Sequence, residues 1–238
     1  MKIAIVHDWM VQLGGAERVL IELHKLFPEA PIYTLFTKKE FTQEYFPQAK
    51  IKASYLQKIP GIHKIYPKLA ILMPIAIESF DLSSFDVVIS SSPFFAKGVV
   101  TRPRTKHICY CYSPSRQLWD NAKSQQGMFK KIGQHFLRIW DRHAADRVDE
   151  FVAISETAQQ RIKKYYGRES QIIYPPLTLD VESNTITKPY TPTPEPYYLI
   201  VSRLYPNKNI NIAIEAFNKL GYPLYIIGEG PLRTQLEK

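Results

Sequence analysis

The chain alternates short apolar segments with longer stretches in which apolar residues recur every three or four positions. Six of the short segments are predicted to be buried strands: Ile3–Val6, Ile32–Leu35, Val87–Ser90, His107–Cys111, Phe151–Ile154 and Gln171–Tyr174. Between the first two, Ala16–Phe27 has the spacing of an amphipathic helix, with Val19, Leu20 and Leu23 on its apolar side. Strands that are apolar throughout are typical of a parallel sheet covered on both faces. The pattern therefore predicts an α/β fold, a Rossmann-like parallel sheet with helices on both faces.

The amino-acid composition changes between residues 175 and 196, where six prolines occur among Thr, Ser, Asn and Glu. Proline stiffens an exposed connector, so this segment is predicted to be an interdomain linker. After it the α/β pattern resumes in four elements: strand Tyr197–Ser202, helix Asn209–Leu220, strand Leu224–Ile227 and a helix from Pro231. We therefore predict a first domain over residues 1–174, a linker over 175–196 and the start of a second Rossmann-like domain over 197–238.

These last four elements are too few to bury both faces of a sheet by themselves. We therefore expect the second domain to be truncated in this chain, and the chain alone to be inactive. The alternative, that the four elements extend the edge of the first sheet, is left open by the pattern.

Composition narrows the classes of function. Hydrophobic residues make up 45% of the chain, enough for a sizeable core, which excludes wholesale disorder. The formal net charge is +9, which indicates an anionic partner: nucleic acid, a phosphorylated metabolite or an anionic membrane face. The sequence shows neither a recognition helix nor an aromatic RNA-binding strand, so nucleic acid is disfavoured.

The sequence gives no signal for secretion or for a membrane span. The apolar run after Lys2 is far shorter than the core of a signal peptide. The longest apolar run, Leu69–Ile77, has about half the length that a span needs. Cys109 and Cys111 are the only cysteines and, two apart on a predicted strand, are poorly placed to bond each other. We therefore expect a reduced, cytoplasmic setting.

The loop after the first predicted strand has two adjacent glycines before a helix. Gly14 and Gly15 let a ligand approach the backbone closely, and the start of the helix behind them favours an anion. Ligands of parallel sheets bind at such carboxyl ends of strands. The third glycine of the dinucleotide fingerprint is missing, which disfavours a nicotinamide cofactor.

Two further loops at strand ends carry candidate chemistry. In residues 202–209, Arg203 can fork onto a phosphate and Lys208 adds a point charge. A pair of solvated surface cations is the alternative interpretation of that loop. Residues 110–120 bring Arg116, Asp120 and several aromatic rings near one spot, without specifying a reaction.

Six motifs follow one another along the whole chain: HDWMVQLGGAERVL, YCYSPSRQLWD, VAISETAQQRIKKYYG, IIYPP, VSRLYPNKNINIAIEAF and IIGEGP. In this order they resemble glycosyltransferase family 4. The resemblance implies a GT-B fold, with an acceptor-side Rossmann-like domain followed by a donor-side one. It also implies sugar transfer with retention of configuration from a nucleotide-diphosphate sugar held in the cleft between the two domains.

The resemblance assigns residues to the donor. Arg203 and Lys208 match the family's pair that binds the donor diphosphate, and Gly14 and Gly15 match the glycine loop that faces it. No metal and no other cofactor is expected, since the cation pair and a helix dipole neutralise the leaving diphosphate.

Tyr112 departs from the family pattern. Relatives usually have a histidine at this place, beside the donor sugar, and Tyr112 is therefore the candidate catalytic residue. With an ordinary pKa of about 10, a tyrosine is a poor general base at neutral pH, so Tyr112 is expected to position the sugar. The family's paired glutamates belong downstream of Lys238.

Two segments mix basic and apolar residues, Tyr55–Lys68 and Phe129–Arg147. The simpler interpretation of each is a helix with one face on the core and a solvated basic side. The alternative is a patch that docks on anionic lipid at the inner face of the cell membrane, where a lipid-linked acceptor would be presented.

We predict a hexosyltransferase, such as a mannosyltransferase, in surface polysaccharide or glycolipid biosynthesis. Its partners would be a nucleotide-sugar donor and a glycan or lipid-linked acceptor, with Asp8, Arg116 and Asp120 on the acceptor side of the cleft. The alternative is a non-catalytic sugar- or nucleotide-binding module on the same scaffold, which Tyr112 and the missing glutamates favour.

Overall fold

A computed structural model of the chain describes residues 1–120, 127–177 and 196–237. The chain divides into two compact units, Met1–Thr178 and Leu179–Lys238. Most of the predicted linker over 175–196 lies outside the described residues, and its boundaries stay a prediction.

The described part of the first unit contains a parallel sheet of seven strands. They are β1 (Ile3–His7), β2 (Ile32–Thr34), β3 (Ile51–Ala53), β4 (Val87–Ser92), β5 (Lys106–Cys111), β6 (Glu150–Ala153) and β7 (Ser170–Ile172). Their order in the sheet is β3-β2-β1-β4-β5-β6-β7, and each neighbouring pair is parallel. The predicted parallel α/β sheet is therefore confirmed, and the sequence pattern missed only β3 among these strands.

Seven helices accompany this sheet in the described ranges. They are α1 (Gly15–Leu26), α2 (Lys39–Tyr45), α3 (Ile62–Ile65), α4 (Met73–Glu78), α5 (Arg116–Trp119), α6 (Met128–Asp146) and α7 (Glu156–Tyr166). Short 3-10 turns cover Tyr55–Lys58, Tyr66–Leu72 and Ala96–Gly98. The apolar run Leu69–Ile77 is thus divided between a 3-10 turn and α4. Across the described ranges, the chain contains no helix with the length and apolarity needed to cross a bilayer.

The core lies on both faces of the sheet, because successive residues of a strand point to opposite sides. On β1, Ala4 and Val6 join a cluster that includes Met73 and Ile77 of α4. Ile5 joins a different cluster, which includes Leu20 of α1. A third cluster packs residues of β5 and β6 against α6 and α7. The expected helices on both faces are therefore confirmed.

The described part of the second unit contains a pair of parallel strands, β8 (Tyr198–Val201) and β9 (Leu224–Ile227). A 3-10 turn at Pro206–Lys208 and helix α8 (Ile210–Leu220) connect them, and α9 (Arg233–Leu236) follows. The prediction of strand, helix, strand and helix is confirmed, with the last helix beginning two residues after Pro231.

Candidate active site at the carboxyl ends of the strands

The order of strands in the first sheet creates a switch point between β1 and β4. The chain leads from β1 to β2 and β3 on one side, and β4 starts the run of strands on the other. Ligands of open α/β sheets bind in the crevice outside the strand ends at such a point. His7 ends β1, Ser91 and Ser92 end β4, and Tyr112 directly follows β5.

Asp8 is buried at this switch point and holds the loop after β4. Its side chain is fully buried, and its carboxylate accepts backbone N–H bonds from Phe94 at 2.8 Å, Phe95 at 2.5 Å and Ala96 at 2.7 Å. Burial raises the pKa of Asp8, although His7 and the three N–H groups act in the opposite direction. Both oxygens of this carboxylate accept bonds from backbone N–H groups, and the acceptor-side role of Asp8 stays a prediction.

Tyr112 belongs to a buried hydrogen-bond network that joins three strand ends to α1. Its hydroxyl donates to the carbonyl of Ala16 at 3.0 Å and lies 2.9 Å from Oγ of Ser91. Nδ1 of His7 lies 2.9 Å from the carbonyl oxygen of the same serine, and Nε2 of His7 lies 3.7 Å from a carboxylate oxygen of Glu17. The end of β5 is thus tied to the first turn of α1.

The glycine loop lies next to Tyr112, because the carbonyl that accepts from its hydroxyl belongs to Ala16. Gly14 is the N-cap of α1 and has no side chain to cover the free N–H groups of the first turn. A Cβ placed on Gly15 would meet no atom within 4 Å. The start of this 12-residue helix therefore leaves room for a ligand beside its backbone. Burial raises the pKa of the Tyr112 hydroxyl far above its ordinary value, so this group is a hydrogen-bond partner and not a base at neutral pH.

The segment that follows Tyr112 is held by α7. Nε of Arg161 donates to Oγ of Ser113 at 2.7 Å, and one Nη donates to the carbonyl of Pro114 at 3.1 Å. The other Nη pairs with Asp120, whose second oxygen accepts from the Tyr165 hydroxyl at 2.8 Å. Partial burial raises the pKa of Asp120, but these two partners outweigh it and bring that pKa below its ordinary range.

The three residues predicted for the acceptor side therefore have different surroundings. Asp8 is buried, Asp120 is engaged with α7, and Arg116 is exposed as the first residue of α5. Arg116 and Asp120 are both exposed, and Asp120 is in addition hydrogen-bonded to α7.

A buried ion pair ties two of the site's loops to the same helix. Lys97 is 2% exposed and pairs with Asp141 of α6, which is 1% exposed. Lys97 also donates to the carbonyl of Phe94 at 2.7 Å, while Asp141 accepts from Nε1 of Trp119 at 2.7 Å and from the Tyr166 hydroxyl at 2.9 Å. Burial lowers the pKa of Lys97, but Asp141 outweighs it and raises that pKa above its ordinary value. The loop after β4 and the helix α5 thus share one electrostatic anchor.

In the second unit, Arg203 and Lys208 stand on the connection between β8 and α8. Both side chains are exposed, and Lys208 ends the 3-10 turn just before α8. Asn209, the N-cap of this 11-residue helix, has a left-handed backbone with φ of 52°. Lys208 therefore lies near the positive end of a helix dipole, and the binding of a diphosphate by Arg203 and Lys208 stays a prediction.

The connection after β8 is held against the loop after β9. The N–H of Leu204 donates to the carbonyl of Glu229 at 2.9 Å. A Cβ on Gly228 would lie 1.7 Å from the carbonyl oxygen of Ser202, and one on Gly230 would lie 2.4 Å from that of Leu204. These glycines are required because the two backbones touch, which sets the position of the Arg203 loop within this unit.

Among the residues that the structure describes, no group of three or more His, Cys, Asp or Glu side chains is placed to hold a metal ion. The expectation of a metal-independent reaction stays a prediction.

A comparison with protein families decides where the chain belongs. A family model described as Glycosyltransferase Family 4 matches residues 13–181. The chain belongs to glycosyltransferase family 4. The resemblance drawn from the motifs is therefore confirmed.

This family 4 chain is also similar to characterised proteins over nearly its whole length. The alpha-1,3/1,6-mannosyltransferase ALG2 of Kluyveromyces lactis is 23% identical over 257 residues, which cover 95% of the chain and 49% of that protein. The crystal structure of Anabaena Alr3699/HepE in complex with UDP has a TM-score of 0.58 at 15% identity and covers 99% of the chain. The same protein in complex with UDP and glucose has a TM-score of 0.57. The chain spans 63% of that structure and about half of the mannosyltransferase.

Sequence reasoning missed several residues that build the site of this family 4 protein. They are His7, Glu17, Ser91, Lys97, Asp141 and Arg161. For one of them a signal was present: Asp141 is the first acid after the basic stretch from Lys130 to Trp140, at a position where α6 meets the core. Ser91 and Arg161 carried no such signal, because their partners are distant in sequence.

Proposed function

We propose that the whole protein is a retaining glycosyltransferase that transfers a hexosyl group from a nucleotide-diphosphate sugar. The observation that carries this proposal is the exposed pair Arg203 and Lys208 at the start of α8, in a chain that belongs to glycosyltransferase family 4. The guanidinium of Arg203 can donate two hydrogen bonds to a phosphate, and the ammonium of Lys208, beside a helix N-terminus, adds a positive charge that attracts a diphosphate. The Anabaena relative, solved with UDP and glucose, supports a nucleotide-bound donor, and the mannosyltransferase supports mannose as the sugar.

The proposed reaction needs no metal ion. Arg203 and Lys208 would hold the diphosphate and neutralise its charge as it leaves. The acceptor hydroxyl would attack the anomeric carbon from the face that the diphosphate leaves, so that the new glycosidic bond replaces the sugar–phosphate bond. The hydroxyl proton would pass to the departing phosphate oxygen, and the configuration would be retained.

In the first unit, Gly14, Gly15 and Tyr112 would form the wall beside the reacting groups. The open space at Gly15 supports a close approach by the diphosphate, and the hydroxyl of Tyr112 would position the sugar. Arg116, exposed on α5, would face an acceptor of the glycan or lipid-linked type. We assign the reaction to surface polysaccharide or glycolipid biosynthesis in the cytoplasm, on the inner face of the membrane.

Transfer assays on the full-length protein test this function. Radiolabelled nucleotide sugars, with mannose and glucose donors first, are supplied with lipid-extract acceptors, and the product anomer is assigned by NMR. Transfer with retention supports the proposal. Tight binding of nucleoside diphosphate without turnover of any donor would favour a non-catalytic binding module.

A further inference from the structure

Helix α6 has an apolar face on each of two opposite sides. Its inner face packs on the first unit: Leu137 and Trp140 lie against the cluster that contains Met73 and Ile77, and Ala144 is fully buried. Side chains on the opposite side of such a helix normally contact water and are polar.

The outer face of α6 is apolar as well. Met128, Ile132, Phe136 and Ile139 are 76%, 46%, 59% and 44% exposed. Their spacing of four, four and three residues places them on one stripe, about opposite the buried alanine side. Single exposed apolar residues are ordinary, but a continuous stripe over three turns marks a contact surface. We call these four residues the outer stripe.

The charged residues of the helix segment that carries the outer stripe are basic. From Met128 to Trp140, α6 has no acidic residue, and Lys130 and Lys131 are exposed near the start of the stripe. The two carboxylates further along the helix are both engaged, Asp141 by Lys97 and Asp146 by Arg142. Among the residues that the structure describes, the unpaired charge along this part of α6 is therefore positive.

We propose that the outer stripe of α6 docks on an anionic lipid bilayer. Its apolar side chains would enter the boundary between head groups and acyl chains, and the lysines would lie against lipid phosphates. Charge favours a bilayer over a protein partner: lysine is depleted in protein interfaces, whereas its long apolar stem and charged end suit a membrane surface.

Helix α4 and the turn before it also expose both apolar and basic side chains. Glu78, at the end of α4, accepts a hydrogen bond from Nε1 of Trp140 at 2.7 Å, so α4 contacts α6 at this point. Ile75 of α4 is 60% exposed, and Ile71 in the preceding turn is 49% exposed. Lys64 and Lys68 are exposed in the same region of the chain. Two neighbouring elements thus share one composition.

Vesicle sedimentation with the chain itself tests the docking surface. Binding is compared on phosphatidylcholine vesicles and on mixed phosphatidylcholine–phosphatidylglycerol vesicles. We expect binding to the anionic vesicles and its loss at high salt. The double variant Phe136→Gln/Ile139→Gln should lower partitioning about tenfold or more, and Lys130→Gln/Lys131→Gln should also lower it.

Matched control variants distinguish binding through the outer stripe from nonspecific binding through other exposed apolar or basic residues. Leu26→Gln changes a residue on α1 that is 70% exposed, and Lys163→Gln/Lys164→Gln removes two consecutive exposed lysines of α7. Both should bind vesicles like the parent. The proposal is overturned if the control variants and the stripe variants bind vesicles equally well. It is also overturned if light scattering shows that the stripe variant dissociates a dimer while its vesicle binding is unchanged. Vesicle binding does not require sugar transfer, so failure here bears on the proposed membrane location and leaves the proposed sugar transfer untouched, while failure of sugar transfer leaves the docking surface untouched.

Discussion

The hydroxyl of Tyr112 donates a 3.0 Å hydrogen bond to the carbonyl of Ala16, a residue 96 positions earlier in the chain. This bond joins the end of β5 to the first turn of α1, directly behind Gly14 and Gly15. Ser91, at the end of β4, lies 2.9 Å from the same hydroxyl. Tyr112 therefore helps to fix where the glycine loop stands relative to the sheet.

Replacing Tyr112 by phenylalanine should weaken the site moderately. The change removes two hydrogen bonds, each with a net contribution of about 1 kcal/mol, but it leaves the ring in place. We expect kcat/KM of the full-length enzyme to fall less than in Arg203→Ala. Tyr110→Phe is the matched control, since that hydroxyl donates to the carbonyl of Ile173 at 2.9 Å. A loss of activity by several orders of magnitude in Tyr112→Phe alone would show that its hydroxyl takes part in the chemistry.

Removing the cation at Arg203 should weaken nucleoside diphosphate binding about ten- to a hundredfold, because charge-assisted hydrogen bonds contribute about 1.5–3 kcal/mol each. Lys208→Ala should act in the same direction. Calorimetric titration of the full-length protein measures both. Lys219→Ala, at the opposite end of α8, is the control. If all three variants and the parent bind nucleoside diphosphate with equal affinity, the donor diphosphate does not bind at this loop.

Breaking the buried pair of Lys97 and Asp141 should destabilise the first unit by about 3–5 kcal/mol. Lys97→Met leaves a carboxylate buried at 1% exposure with one strong partner removed. Urea unfolding followed by circular dichroism measures the change. The exposed pair Arg142 and Asp146 on the same helix is the control, and Arg142→Met should cost at most about 1 kcal/mol. Equal effects of the two variants would contradict the anchoring role.

His107 should make the first unit less stable in acid. Burial lowers its pKa from 6.5 to about 4, with Asp149 opposing the shift. Between pH 6.5 and about pH 4, His107 therefore binds a proton in the unfolded chain but not in the folded chain. The stabilising contribution is complete above pH 6.5 and declines by about 3 kcal/mol as the pH falls to 4.

The variant His107→Gln isolates this effect. Its unfolding free energy is measured at several pH values between 7 and 4 beside that of the parent, and the difference between the two proteins should change with pH. The hydrogen bond between Oγ of Ser90 and Nε2 of His107, 2.9 Å long, is lost or altered at every pH and shifts the two curves by a constant. Parallel curves would mean that His107 titrates normally in the folded state.

The sequence by itself determined the class of fold and the loops that carry the chemistry. Apolar runs such as Ile3–Val6 and helical spacing such as Ala16–Phe27 are local patterns, and they identify strands and helices without knowledge of their neighbours. Because the carboxyl ends of parallel strands share one edge, the same patterns placed Gly14 and Gly15 at the edge where ligands bind. The motifs added the family, since their order along the chain is a property of sequence alone.

Only the tertiary structure decided what each side chain at that edge contacts. The sequence placed Asp8 just after a strand, and only strand order shows that the backbone of residues 94–96, 86 to 88 positions away, donates to its carboxylate. β3 escaped detection because two of its three residues are exposed and carry no apolar signal. In α6 the sequence showed apolar and basic residues together, and packing divided the apolar ones between the core and the outer stripe. Such facts depend on contacts between segments far apart in the chain, and local spacing does not encode them.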